Sequence, residues 1–71
     1  MKIPRDLHGS EAAKALLRLG FERQRQTGSH LILRRASRTV VVPQYRPLKP
    51  GTLRSILEQA GVTLEELLQN L

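Results

Sequence analysis

Residues 23–35, RQRQTGSHLILRR, place one histidine among several arginines. The imidazole of His30 can take up or release a proton near neutral pH, which suits general acid or general base catalysis. Arg23, Arg25 and Arg34 lie on or beside the same predicted hairpin, and guanidinium groups bind phosphate oxygens and stabilise developing negative charge. This combination suits chemistry at a phosphate. A histidine next to a turn is more often a surface residue, and residue type and spacing alone leave both interpretations open.

The residues around His30 offer few other reactive groups. Ser29 directly precedes His30, but adjacent strand residues point to opposite faces of a sheet, so the two cannot form a nucleophile–base pair. Gly28 is expected to supply a positive-φ turn conformation, with Ser29 supporting the turn. His8 lies outside any motif and is not expected to do chemistry. Two histidines, no cysteine and six scattered carboxylates have no recognisable ligand spacing, so neither a metal nor another cofactor is predicted.

Positive charge is concentrated in the first three quarters of the chain. The 71 residues include 12 Lys and Arg against 6 Asp and Glu, which gives a net charge of +6. All the basic residues lie within residues 1–54, and the only charged residues of 55–71 are glutamates. Such a field attracts a polyanion such as nucleic acid, although a solvated basic surface has the same composition. Phe21 and Tyr45 are the only aromatic residues, which gives poor support for a platform that stacks single-stranded bases.

Capping residues and periodicity predict the elements that position these groups. Ser10 is a suitable N-cap for EAAKALLRL, which predicts a first helix over about residues 10–19, with Gly20 in a left-handed conformation after it. Three antiparallel strands in a meander are predicted from FERQRQ, HLILRR and RTVVVP, with turn residues at Thr27 and Gly28 and with Pro43 ending the last strand.

Two further helices are predicted from the last third of the sequence. Thr52 is expected to cap a helix over about residues 52–60, closed by Gly61. Thr63 and Glu66 match a capping box, which predicts a short C-terminal helix with an apolar stripe of leucines. Residues 1–71 contain no long linker and are predicted to form a single domain.

This order of elements predicts an α+β fold in which helices cover one face of a three-stranded antiparallel sheet. If Leu31 and Leu33 face the helices, alternation places His30, Ile32 and Arg34 on the open face. Apolar residues on an uncovered face suggest that a partner covers it at some time. No segment approaches the length of a membrane span and the N-terminus lacks a signal-peptide core, so no membrane association and a soluble, cytoplasmic protein are predicted.

Three motifs resemble one known family. GSH at 28–30, VVVP at 40–43 and LKPGTLRSILEQAG at 48–61 occur together in this order, and the chain is similar to the HicA toxins from about Pro4 to Leu71. HicA toxins are small ribonucleases of toxin–antitoxin pairs.

The resemblance implies a fold, a site and a partner. The implied fold is that of the double-stranded-RNA-binding domain, α-β-β-β-α. His30 is implied to be catalytic, messenger RNA to be the substrate, and a HicB-type antitoxin to occlude the site in a hetero-oligomer. Many relatives have a second histidine two residues after the strand-ending proline, where this chain has Tyr45. Tyrosine can donate a hydrogen bond, but with a pKa near 10 it is a poor proton shuttle, so Tyr45 is predicted only to support the site.

A ribonuclease of this kind needs few reactive groups in the protein. RNA carries its own nucleophile, the 2′-hydroxyl beside the scissile phosphate, so a proton-transfer group and positive charge suffice. Together with this chemistry, the resemblance implies a metal-independent endoribonuclease that uses His30 and arrests translation and growth. KPGT at 49–52 is interpreted mainly as a loop and helix start, with Lys49 as a candidate contact to the RNA backbone.

Two other functions fit parts of the sequence. A non-catalytic binder of double-stranded RNA suits the fold and the charge, because shape recognition needs no histidine. A helix-turn-helix DNA binder is suggested by LRSILEQAGVTLEELLQ, residues 53–69. Its second helix carries Glu65 and Glu66 and no basic residue, so phosphate would repel it. The DNA-binding alternative is therefore the weaker of the two.

Overall fold

A computed structural model describes residues 7–71, so Pro4, where the resemblance begins, lies outside the described residues. The strands form one antiparallel sheet in the order β1-β2-β3. The elements, in chain order, are α1 (Gly9–Arg18), β1 (Glu22–Thr27), β2 (His30–Arg35), β3 (Arg38–Pro43), α2 (Pro50–Ala60) and α3 (Leu64–Gln69). The predicted α+β class, with the α-β-β-β-α order of the double-stranded-RNA-binding domain and a short C-terminal helix, is confirmed. None of the helices in this described part is long and apolar enough to cross a membrane.

The start of α1 differs from the sequence prediction. The N-cap residue is His8, and Ser10 already lies inside the helix, so the assignment of Ser10 as N-cap is wrong. Glu11 explains the earlier start, because its Oε1 accepts a hydrogen bond of 2.9 Å from the backbone N–H of His8. Gly20 follows the helix with a φ of 100°, which confirms its predicted positive φ.

The start of α2 also differs from its prediction. Lys49 is the N-cap residue and Pro50 is the first helical residue, so Thr52 is not the cap. Proline suits the first helical position because its fixed φ is helical and its missing N–H has no intrahelical partner there. Gly61 ends the helix with a φ of 70°, as predicted.

The predicted capping box of α3 is confirmed. The hydroxyl oxygen of Thr63 accepts a hydrogen bond of 3.1 Å from the backbone N–H of Glu66, and Glu66 Oε1 accepts one of 3.0 Å from the N–H of Thr63. These two bonds satisfy backbone donors that a helix of six residues leaves unpaired at its start.

The side-chain alternation of β2 decides which face of the sheet is covered. Leu31 and Leu33 are buried, and they pair with the buried Val42 and Val40 of β3. The helices cover this face, and these four side chains join one hydrophobic cluster with residues of all three helices. His30 and every second residue after it consequently face the open side of the sheet, as the sequence predicts.

A β-bulge interrupts β1. Arg23 pairs with Leu33 and Arg25 pairs with Ile32, so Gln24 is an extra residue with no partner in β2. In a regular strand Arg23 and Arg25 would share a face, but the extra residue places them on opposite faces. A hydrogen bond of 3.2 Å from Arg23 Nη2 to Gln26 Oε1 agrees with this, because Gln26 pairs with the buried Leu31.

The start of α1 is in direct contact with the end of β3. A Cβ atom on Gly9 would overlap the carbonyl oxygen of Pro43 and lie 2.8 Å from the Cα of Gln44. The backbone N–H of Gly9 donates a hydrogen bond of 3.0 Å to the carbonyl of Tyr45. Only glycine fits this position, because every other residue has a Cβ.

We predict that Gly9→Ala lowers the free energy of unfolding by about 3 kcal/mol, because the added methyl group meets backbone atoms that cannot rotate away. Chemical denaturation followed by far-UV circular dichroism measures this change. Gly51→Ala is the matched control, because no atom lies within 4 Å of the position that a Cβ would take at this residue of α2. Alanine there should preserve stability or raise it by up to about 1 kcal/mol. Equal stability of the two variants would contradict the close packing at Gly9.

Candidate active site

His30 is the first residue of β2 and its side chain is exposed on the open face of the sheet. It pairs with Thr27 of β1 and with Pro43 of β3. The tight turn between β1 and β2 consists of Gly28 and Ser29, and the φ of Gly28 is 58°, which confirms the predicted positive φ. A positive φ at the first central residue is typical of a two-residue hairpin turn. The turn therefore sets where β2 begins, and with it the position of the imidazole.

Tyr45 lies beside His30. The two ring centroids are 6.3 Å apart and the ring planes meet at 74°, an edge contact that aromatic pairs favour. The pairing of His30 with Pro43 explains this proximity, since Tyr45 is two residues beyond Pro43. The family resemblance implies only a supporting role for Tyr45 and does not show its ring contact, which depends on the path of the chain after β3.

Backbone hydrogen bonds fix the segment that carries Tyr45. The N–H of Gln44 donates to the carbonyl of Ser29 at 2.7 Å, which continues the pairing of β2 and β3 by one residue into the turn. The side-chain amide of Gln44 donates to the carbonyl of Val42 at 3.0 Å. Ser29 thus contributes through its backbone carbonyl, in agreement with its predicted role in the turn.

Arg25 is the arginine of the sheet that lies nearest to His30 on the open face. It pairs with Ile32, two residues after His30. The rise per strand residue and the spacing between strands place the Cα atoms of Arg25 and His30 roughly 8 Å apart. The exposed Arg25 side chain is therefore within reach of a phosphate that contacts the imidazole.

Arg34 lies on the same face but at the other end of β2. It is four residues after His30, a separation of roughly 13 Å along the strand. Its Nε donates a hydrogen bond of 2.9 Å to the carbonyl of Ala36, which holds the side chain towards the turn between β2 and β3. Arg34 and His30 therefore suit different phosphates of one strand. Between them, Ile32 and Val41 form a half-buried apolar pair.

Two of the predicted RNA-binding residues are not part of this group. The bulge at Gln24 places Arg23 on the face opposite His30, as the pairing of Arg23 with the buried Leu33 shows. Lys49 is exposed, but it lies off the sheet at the start of α2. The structure thus brings His30, Arg25 and Tyr45 together, whereas Arg34, Arg23 and Lys49 lie farther from the imidazole.

Arg35 has a structural environment that sequence reasoning missed. Its guanidinium carbon lies 4.7 Å from the centroid of the buried Phe21 ring, and its Nη1 donates a hydrogen bond of 2.7 Å to the carbonyl of Leu19. Leu19 is the C-cap residue of α1, and the negative dipole end of the helix favours a cation there. The neighbouring Arg34 lacks these contacts, because adjacent residues of β2 point to opposite faces of the sheet and α1 ends beside Arg35.

His8 lies at the start of α1 and not on a strand of the sheet. His8 is the half-buried N-cap residue of α1. Across residues 7–71 no group of three or more histidine, aspartate or glutamate side chains is arranged to hold a metal ion.

The α-β-β-β-α-α order and the basic open sheet face define a small α+β protein with the fold of the double-stranded-RNA-binding domain. A family model described as "HicA toxin of bacterial toxin-antitoxin" matches residues 9–62, more than half of the chain. The chain belongs to the HicA toxin family and is a toxin of a toxin–antitoxin system. This confirms the resemblance, and the matched region includes His30, Tyr45 and the open-face arginines. A comparison with curated proteins gives no match.

We predict that Arg35→Ala destabilises the fold by about 1–3 kcal/mol, because the variant loses both the contact with Phe21 and the hydrogen bond to Leu19. Urea denaturation followed by circular dichroism measures the effect. The neighbouring Arg34→Ala is the matched control and should leave the unfolding midpoint close to that of the wild type, because the Arg34 side chain is exposed. A larger loss in Arg34→Ala than in Arg35→Ala would contradict the structural role of Arg35.

Proposed function

We propose that this toxin is a metal-independent endoribonuclease that cleaves messenger RNA, with His30 as general acid or base. One observation carries the proposal: the exposed His30 lies at the end of the open sheet face, and Arg25 lies on the same face in the neighbouring strand β1. The net charge of +6 supports a polyanionic substrate. Family membership supports a toxin whose target is vital to the cell.

RNA cleavage at this site requires one displacement at phosphorus. The 2′-oxygen of the ribose forms a bond to the adjacent phosphorus, and the bond between phosphorus and the 5′-oxygen of the next nucleotide breaks. The 2′-hydroxyl loses its proton and the departing 5′-oxygen gains one. His30 can perform either transfer, which contributes roughly 10²–10⁴ to the rate. The guanidinium of Arg25 stabilises the extra negative charge on the phosphate oxygens during the step.

The remaining basic residues suit the flanking nucleotides. Arg34, roughly 13 Å from His30 along β2, is placed to bind a phosphate beyond the scissile one. Arg23 and Lys49 stay predictions as backbone contacts, and both require an RNA path that leaves the open face. We propose that the whole chain, residues 1–71, acts as a single toxin domain in the cytoplasm, where messenger RNA is translated.

We further propose that a HicB-type antitoxin neutralises the toxin by covering the open face in a hetero-oligomer. Two features of this face support such a partner. Ile32 and Val41 offer an apolar strip, and Arg25 and Arg34 border it with positive charge. An acidic partner surface with apolar side chains at its centre would bury the strip and pair with the arginines.

A non-catalytic binder of double-stranded RNA is the second candidate, because the fold itself is that of a double-stranded-RNA-binding domain. The two functions differ in whether they require the imidazole of His30. A catalyst needs the imidazole for cleavage, whereas a binder that recognises duplex shape does not.

We predict that induced expression of the wild-type toxin arrests bacterial growth and degrades messenger RNA, and that His30→Asn prevents both effects. Asparagine keeps a polar side chain of similar size but has no group that exchanges protons near neutral pH. Growth curves and RNA gels taken at the same times after induction measure the outcome, and purified protein should show a rate loss of about 10²–10⁴ with a defined RNA.

His8→Asn is the matched control for this experiment, since asparagine is a favourable N-cap and the helix start should be preserved. It should remain toxic. Equal arrest by wild type and His30→Asn, with intact RNA in both, would identify a binder and not a nuclease. Cleavage that a chelator abolishes would contradict metal independence.

We predict that Arg25→Ala weakens RNA binding more than Arg23→Ala does. The two arginines differ by two positions in the same strand, but the bulge at Gln24 places only Arg25 on the face of His30. Loss of one phosphate contact should lower the slope of log affinity against log salt concentration by about 0.7 for a single strand. Fluorescence anisotropy with a labelled RNA at several salt concentrations gives both quantities. Equal effects of the two variants would show that RNA passes around the edge of β1, contrary to the open-face site.

A further inference from the structure

Tyr45 has an exposed ring in a chain that is poor in aromatic residues. The sequence contains one Phe, one Tyr and no Trp. Phe21 is only 2% exposed and packs in the core, whereas Tyr45 is 46% exposed. The ring of Tyr45 lies outside the hydrophobic cluster, so burial of apolar surface does not explain its position. Its exposed ring beside His30 is available to a ligand with a flat, apolar face.

The backbone beneath this ring is held in place on two sides. The carbonyl of Tyr45 accepts the hydrogen bond from Gly9 at the start of α1, and the neighbouring Gln44 is bonded to Ser29 in the turn between β1 and β2. The close approach of Gly9 to Pro43 restricts the segment further. A ring on such a backbone loses little conformational freedom when a ligand stacks on it, which favours binding.

The surroundings of the ring favour a nucleotide. The ring of Tyr45 makes an edge contact with the imidazole of His30, the proposed proton-transfer group, at a centroid distance of 6.3 Å. Arg46 follows Tyr45 directly and is exposed. Arg25 lies on the open face in β1, the strand next to His30. A base on the ring therefore brings its own phosphate into a positively charged region next to the imidazole.

We infer that Tyr45 stacks on an unpaired base of the RNA, so that the substrate is bound single-stranded at the site of cleavage. This inference rests on the proposed function and specifies its substrate class. Base pairs inside a duplex already stack on both faces, so a protein ring can use only a base that is unpaired or displaced from the helix. The toxin thus differs in substrate from a domain that recognises duplex shape, although the fold is shared.

Intrinsic fluorescence tests the stacking directly, because Tyr45 is the only tyrosine and the chain has no tryptophan. The wild-type protein is titrated with a 2′-O-methyl RNA oligomer of mixed sequence, which cannot be cleaved because its 2′-oxygen is blocked. We expect the single strand to quench the tyrosine emission and the same oligomer annealed to its complement to leave it nearly unchanged. Absence of quenching by the single strand, or equal quenching by the duplex, would overturn the inference.

Affinity measurements on variants provide a second test that does not depend on emission. Binding of the same oligomer, carrying a fluorescent label, is followed by anisotropy. Tyr45→Ala should weaken binding about 5- to 150-fold, the range measured for loss of one stacked base. Tyr45→Phe should bind within about twofold of the wild type, because the ring and not the hydroxyl makes the contact.

Leu17→Ala is the matched control, because Leu17 is 42% exposed on α1 and lies outside the site. It should bind RNA as the wild type does. If Tyr45→Ala binds RNA normally but no longer binds the antitoxin, the ring is a protein contact and the inference is wrong.

Cleavage of the unmodified oligomer separates this inference from the proposed function. Stacking and affinity loss as expected, without cleavage by the wild type, would refute the endoribonuclease and retain the stacking. Cleavage by the wild type that is unchanged in Tyr45→Ala, together with unchanged affinity, would retain the nuclease and refute the stacking.

Discussion

The burial of Leu31 and Leu33 beneath the helices is the constraint on which the rest of the structure depends. Side chains alternate along a strand, so a shift of β2 by one residue would move both leucines into water and turn His30 towards the core. Both leucines contact a cluster that includes residues from each helix, and their burial therefore opposes such a shift strongly. The hydrophobic core thereby fixes the orientation of a polar side chain that it does not touch.

A second constraint joins elements that are distant in sequence. The start of α1, the turn between β1 and β2 and the segment after β3 meet within a few residues of His30 and are linked by backbone hydrogen bonds. The bonds from Gly9 to Tyr45 and from Gln44 to Ser29 are independent of side-chain type, apart from the requirement for glycine. The geometry of the candidate site is therefore built mainly from backbone, and its side chains can differ among proteins that share this frame.

Much of this arrangement is predictable from the sequence, because β2 and β3 are rich in aliphatic residues and are bounded by clear turn residues. The residues of β2 and β3 follow from that pattern, and the outward orientation of His30 follows once Leu31 and Leu33 are assigned to the face that the helices cover. The helix starts are less predictable, since several residues near each start can act as caps. Glu11 and Pro50 decide between them: Glu11 bonds back to the N–H of His8, and Pro50 occupies the first helical position after Lys49.

The bulge and the aromatic contacts are not predictable from the sequence. Nothing in ERQRQT distinguishes Gln24 from its neighbours, because every residue of β1 is polar and no apolar pattern reveals the register. The different environments of Arg34 and Arg35 depend on where α1 ends relative to the sheet. The contact between His30 and Tyr45 depends on the path after β3, which involves residues far apart in the chain.

The close packing of Gly9 has a consequence for how cells escape from the toxin. An uninhibited toxin selects for mutations that inactivate it, and changes in reactive side chains are the expected ones. In the genetic code, every single-base change at the first or second position of a glycine codon gives either a residue with a Cβ or a stop codon. All of the substitutions that arise in this way at Gly9 place a carbon against the carbonyl of Pro43. Inactivated copies of the gene should therefore accumulate changes at this small buried position as well as at His30.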